Sequence, residues 1–165
     1  EDPRELVYWG NNGSGPERIV LPAGNLEAMF TNLAVGGNSI ARILAGRHSK
    51  LTQNDATYVL SGHILFSEVE YPLMGREGKP LELGDGVLFR RNVVVKARGG
   101  TSRMTVSSML FPPPVTVAIA MRVADNVWFT AETLRELVEA GGMSVRLGTY
   151  RKRFGAFVVQ NWEIA

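Results

Sequence analysis

The stretch Val115–Gly142, VTVAIAMRVADNVWFTAETLRELVEAGG, decides the fold class. Val115, Val117, Ile119, Met121 and Val123 alternate with Thr116, Ala118, Ala120 and Arg122, which is the period of a half-buried strand. From Ala131 to Ala140 the period becomes helical, with Leu134, Leu137 and Val138 on one face. Thr130 stands at the N-cap position, Glu132 lies in the first turn, and Gly141-Gly142 is expected to stop the helix. A strand followed by an amphipathic helix is the half-unit from which split βαβ folds are built.

Upstream, Arg18-Ile19-Val20-Leu21 reads as a short strand, punctuated by Pro22-Ala23-Gly24-Asn25. Asn25 is a candidate N-cap for a helix whose apolar face is Leu26, Met29, Phe30 and Leu33. Asn38 or Ser39 is placed to cap a second, short helix carrying Ile40, Ile43 and Leu44. Leu6 to Trp9 and residues 56–66 read as strands, and Leu51 to Asp55 as a loop. Val87–Arg98 and Arg103–Phe111 read as two strands of a hairpin joined through Gly99-Gly100-Thr101-Ser102. Ala156 to Trp162 is predicted as a final strand. The order predicts an α+β fold: a ferredoxin-like, RNA-recognition-type βαββαβ core over residues 1–165, with a β-hairpin inserted within 68–111.

Composition narrows the function classes. The chain has 165 residues, 45% hydrophobic and 21% charged, as in an ordinary folded protein. No run approaches the roughly 20 apolar residues of a membrane span. Cys is absent, so disulfides, thiol nucleophiles and Cys-based zinc sites are excluded. His48 and His63 are the only histidines, and no metal or cofactor is expected. The opening EDPRE lacks the basic and apolar regions of a signal peptide, and a cytoplasmic setting is the expectation.

Charge is distributed unevenly. Residues 1–82 hold 7 basic and 10 acidic side chains, whereas residues 83–165 hold 11 basic and 6 acidic. Between Asp85 and Asp125 there is no acid, yet Arg90, Arg91, Lys96, Arg98, Arg103 and Arg122 fall there. Such an interval suits a polyanion-facing surface. A second basic cluster, Arg42, Arg47, His48 and Lys50, follows the first helix; it suits either phosphate contact or a solvated helix end. The segment Gly148-Thr149-Tyr150-Arg151-Lys152-Arg153-Phe154-Gly155 sets three cations and two aromatics between glycines. Glycine allows close backbone approach to a phosphate, Arg and Lys supply charge, and Tyr150 is placed to stack on a base. Phe154 and Trp128 read as core residues.

Ile19-Val20-Leu21-Pro22-Ala23-Gly24-Asn25-Leu26 resembles the strand-to-helix opening of the RAMP superfamily of CRISPR-associated RNA-binding subunits. Leu147 to Phe157 resembles that superfamily's glycine-rich loop, and Val115–Gly142 sits where its second ferredoxin-like half would be. The nearest likeness is to the backbone subunit that polymerises along guide RNA, with phage and plasmid relatives equally similar. The resemblance implies binding of single-stranded RNA, head-to-tail copies and a hairpin "thumb" within residues 86–111. Expected nucleic-acid contacts are Gly148, Tyr150, Arg151, Lys152, Arg153, Arg42, Arg47, Lys50, Arg90, Arg91 and Arg98. The leading expectation is a non-catalytic subunit binding RNA, with DNA as the alternative strand. A RAMP-type endoribonuclease using Asp55 or His48 is the second reading, because a loop Asp serves in some relatives. A phage or capsid-associated interaction module without RNA binding is the third.

Overall fold

Thr52 begins a helix that residue alternation disguises. Its hydroxyl accepts from the Asp55 backbone N–H at 3.2 Å, and the Asp55 carboxylate accepts from the Thr52 N–H at 2.9 Å, so two otherwise orphaned donors are satisfied. In this computed structural model, which describes residues 2–31, 38–97, 99–148 and 154–165, the elements run as follows. They are β1 (Trp9–Gly10), β2 (Arg18–Pro22), α1 (Ala23–Thr31), α2 (Ile40–Arg47), α3 (Gln53–His63), β3 (Ile64–Phe66), β4 (Glu70–Met74), β5 (Val87–Ala97), β6 (Gly100–Leu110), β7 (Thr116–Val117), β8 (Met121–Val123) and α4 (Ala131–Ser144). Short 3₁₀ turns lie at Pro3–Leu6, Arg76–Gly78 and Leu83–Asp85. The fold is α+β, with four helices and antiparallel strand pairs among the described residues.

The chain divides into two units, Glu1–Pro22 with Glu70–Ala118, and Ala23–Val69 with Ile119–Ala165. The first unit holds a four-stranded sheet in the order β1-β2-β4-β7, with Val20 opposite Pro72 and Leu73 opposite Val117. Ile19, Val20, Tyr71 and Leu81 are its buried side chains. The long hairpin β5–β6 belongs to the same unit. The second unit packs Met29, Phe30, Ile40, Leu44, Leu60, Leu134, Leu137 and Val145 into one core. Each fully buried aliphatic side chain there contributes about 1.5–3 kcal/mol. Phe66, from the two-stranded β3–β8 sheet, meets Phe30 edge to face at 5.7 Å.

Several expectations need correction. Asn25 is not an N-cap but lies inside α1, which begins at Ala23, and of the strand read over Leu6–Trp9 only Trp9 lies in a strand, Leu6 ending a 3₁₀ turn. Residues 56–66 are not a strand: the capping box starts α3, Ala56 and Leu60 face the core one turn apart, and only Ile64–Phe66 are extended. Asp55 therefore lies in a helical first turn and not in a loop. Val115–Val123 keeps its alternation, odd residues half-buried and even ones exposed, but pairs as strand only at its two ends, in different units. Gly141-Gly142 does not stop α4. Both glycines are buried inside it because other chain segments crowd them: a Cβ on Gly141 would lie 2.8 Å from Ile40 Cγ1, and one on Gly142 would meet the Phe157 carbonyl. Ala156 to Trp162 forms no strand. It lies against α4 as an irregular tail, with the Phe157 N–H donating to the Gly142 carbonyl at 3.2 Å.

Candidate nucleic-acid interface

The hairpin β5–β6 is a ribbon of eleven residues on each strand, about 33 Å long at the usual strand rise. Its register pairs Arg90 with Ser107, Asn92 with Thr105, Val94 with Arg103 and Lys96 with Thr101. Because successive side chains point to opposite faces, these eight residues share one face. Apart from the exposed Val94, that face is polar and cationic: Arg90, Lys96 and Arg103 are all exposed, and the Thr105 hydroxyl donates to Asn92 Oδ1 at 2.9 Å across the strands. Among the described residues no ion pair engages any of these three cations. Arg90 and Lys96 lie six residues apart, about 20 Å along the strand.

Arg91 departs from the expected cluster. It stands on the opposite face with Phe89, Val93 and Val106, half-buried among apolar neighbours in the register. Adjacent cations in a strand cannot face one ligand surface together. Lys96 and Arg103, absent from the sequence-derived contact set, take the place of Arg91 on the cationic face. The signal for Lys96 was its even-numbered spacing from Arg90. Arg103 required the hairpin register. Arg98 lies outside the described residues.

The second basic cluster does not form one row. Arg42 and Arg47 are five residues apart on α2, about 140° around the helix axis. Both are exposed, but the Arg47 guanidinium lies 3.2 Å from Glu136 Oε2 on α4. At the last turn of α2 its charge also suits the helix dipole. Lys50 is exposed in the turn that follows. His48 is the C-cap of α2, and its ring meets Trp128 at 5.7 Å with the planes 82° apart.

Tyr150, Arg151, Lys152 and Arg153, with Thr149, lie outside the described residues; Gly148 and Phe154 bracket them. The Leu147 N–H donates to the Gly155 carbonyl at 3.0 Å, bringing the two flanks together. Gly148 has φ +87° and Gly155 φ +80°, both in the region that glycine tolerates. A Cβ on Gly155 would fall on the Leu147 carbonyl, so only glycine fits there.

Asp55 has a structural task. Besides the Thr52 N–H, its carboxylate accepts from the Thr52 hydroxyl at 2.6 Å. These bonds, the hydroxyl's first, hold its pKa below the ordinary value of 3.8, which is opposite to the tuning a general acid or base needs near neutral pH. Among the described residues no group of three or more His, Asp or Glu side chains is placed to hold a metal ion, and no helix is long and apolar enough to cross a membrane. The chain matches no protein-family model, no curated protein and no solved structure.

Proposed function

We propose that this chain is a non-catalytic subunit that binds the backbone of a single-stranded polynucleotide, RNA in the leading form, and assembles in copies along it. The observation that carries the reading is the acid-free face of β5–β6, where Arg90, Lys96 and Arg103 stand exposed and, among the described residues, unengaged by carboxylates. Spaced cations on an extended ribbon suit phosphates on an extended chain and carry no base code, so sequence selectivity is low. The pinned flanks of the Arg151-Lys152-Arg153 segment support a second contact. RAMP membership, an RNA-recognition-type core, head-to-tail assembly and a cytoplasmic setting belong to the same proposal. They rest on the resemblance of Ile19–Leu26 and Leu147–Phe157, and on β2 running directly into α1.

The test is the salt dependence of binding to a labelled oligouridine, read by fluorescence anisotropy. Each phosphate contact on a single strand contributes about 0.7 to the slope of log K against log salt. The triple variant Arg90→Ala, Lys96→Ala, Arg103→Ala lowers the slope by about 2 and weakens binding at low salt. The triple variant Arg151→Ala, Lys152→Ala, Arg153→Ala does the same independently. Unchanged affinity and slope in both variants would falsify the reading. The oligouridine stays intact on incubation with Mg²⁺; cleavage abolished by Asp55→Asn or His48→Ala would instead establish the endoribonuclease.

A further inference from the structure

The second unit contains a small cleft where the end of α2 faces the start of α4. Its floor is Leu44, Phe129 and Leu137, its walls are His48 and Trp128, and Arg47 stands at its edge. We infer that this cleft holds the flat ring of one unpaired nucleobase, laid by its face against one of the His48 and Trp128 rings with its edge toward the other. The ligand class rests on the polynucleotide reading above; the cleft itself does not depend on the cationic ribbon.

Size, charge and hydrogen bonding each narrow the occupant. The volume is about 210 Å³, below the roughly 300 Å³ at which pockets for drug-sized ligands begin, so a single ring system fits and a dinucleotide does not. The Arg47 guanidinium is met by Glu136 at 3.2 Å, which removes the demand for an anion. The two aromatic rings stand 82° apart with centroids 5.7 Å apart, a right-angled corner. A flat ring laid against one wall presents its edge to the other, the arrangement aromatic quadrupoles favour. Asn126 is committed internally, accepting from the Trp128 and Phe129 N–H groups at 2.9 and 3.0 Å and donating to the Ala124 carbonyl at 3.1 Å. Thr133 Oγ1 accepts from the Thr130 N–H at 2.7 Å and donates to the Thr130 carbonyl at 3.1 Å. Few donors and acceptors are left to read a base edge. Purine and pyrimidine bases therefore bind with similar strength, through stacking that every base can supply.

The experiment titrates the full chain with adenosine, cytidine and uridine, which carry no phosphate, and with N-acetyltryptophanamide as the peptide-like rival. NMR follows the Trp128 indole N–H and the His48 ring C–H. All three nucleosides are expected to shift both signals with comparable midpoints, and His48→Ala to weaken binding about fivefold or more. No shift at these two residues, unaltered binding by His48→Ala, or tighter binding of the tryptophan amide than of any nucleoside overturns the inference. Nucleosides report on the cleft alone and the salt slope reports on the cations, so either can fail without the other.

Discussion

Replacing Gly142 by alanine tests whether the C-terminal tail is seated on α4. In an exposed helix interior the change would gain about 1 kcal/mol in propensity. At this position the new Cβ would run into the Phe157 carbonyl and lie 3.0 and 3.1 Å from Cε2 and Cδ2 of the Phe157 ring. A backbone carbonyl cannot rotate aside, so the tail must lift. Lifting it strains the 3.2 Å bond from the Phe157 N–H to the Gly142 carbonyl and draws Phe157, Val159 and Trp162 away from the core. Overpacking costs about 1–3 kcal/mol and the lost hydrogen bond about 1 kcal/mol, which together exceed the propensity gain. The expected net loss is about 1–3 kcal/mol. Gly141→Ala is the comparison variant. Its Cβ meets Cγ1 and Cδ1 of the buried Ile40 side chain at 2.8 and 2.9 Å but no backbone atom of the tail, so it costs less than Gly142→Ala. Urea unfolding followed by circular dichroism measures both variants. Gly142→Ala at least as stable as Gly141→Ala would refute the seating of the tail and the account of why α4 runs through both glycines.

The Asp55 carboxylate has a depressed pKa in the folded state, so its contribution to stability is present above the ordinary value of 3.8 and is lost as pH falls through the lower folded value. The Tm gap between the native chain and Asp55→Asn is therefore steady near neutrality and closes below about pH 4; a gap independent of pH refutes the capping role. Leu134→Ala, at a position with no solvent exposure, lowers unfolding free energy by about 2–5 kcal/mol in urea; a loss under 1 kcal/mol refutes its central place in the core. Arg47→Ala changes stability by less than about 1 kcal/mol, because both partners of its ion pair are substantially exposed; a larger loss would reveal a packing role for the arginine stem.

What the sequence disclosed follows from how local each determinant is. The start of α4 was legible because Thr130 and the Leu134–Leu137–Val138 stripe are local signals that agree. The strands of the hairpin were legible for the same reason, although its turn is tighter than read: Ala97 pairs directly with Gly100. In α3, Tyr58, Leu60 and Gly62 mimic a strand face that Ile64 of β3 continues, yet Tyr58 is 76% exposed and only the capping box reveals the helix. Gly141 and Gly142 were misread because a stop and a close approach use the same residue, and the segments that crowd them lie far off in sequence. The cationic face required knowing which of Arg90 and Arg91 points outward, a matter of register. The corner of His48 and Trp128 had no signal at all, since packing of α2 against the start of α4 creates it.

The polypeptide crosses between its two units at Pro22, Val69 and Ala118, so neither is a continuous length of chain. During synthesis α1, α2 and α3 emerge without Leu134, Leu137 and Val145, leaving Leu44 and Leu60 incompletely covered until α4 is translated. The ribbon, by contrast, closes between neighbours in sequence and can form as soon as it leaves the ribosome. A nascent chain of this design can pair its cationic ribbon before its helical core is complete, and a truncation between Leu110 and Ala131 keeps the ribbon while leaving that core without α4.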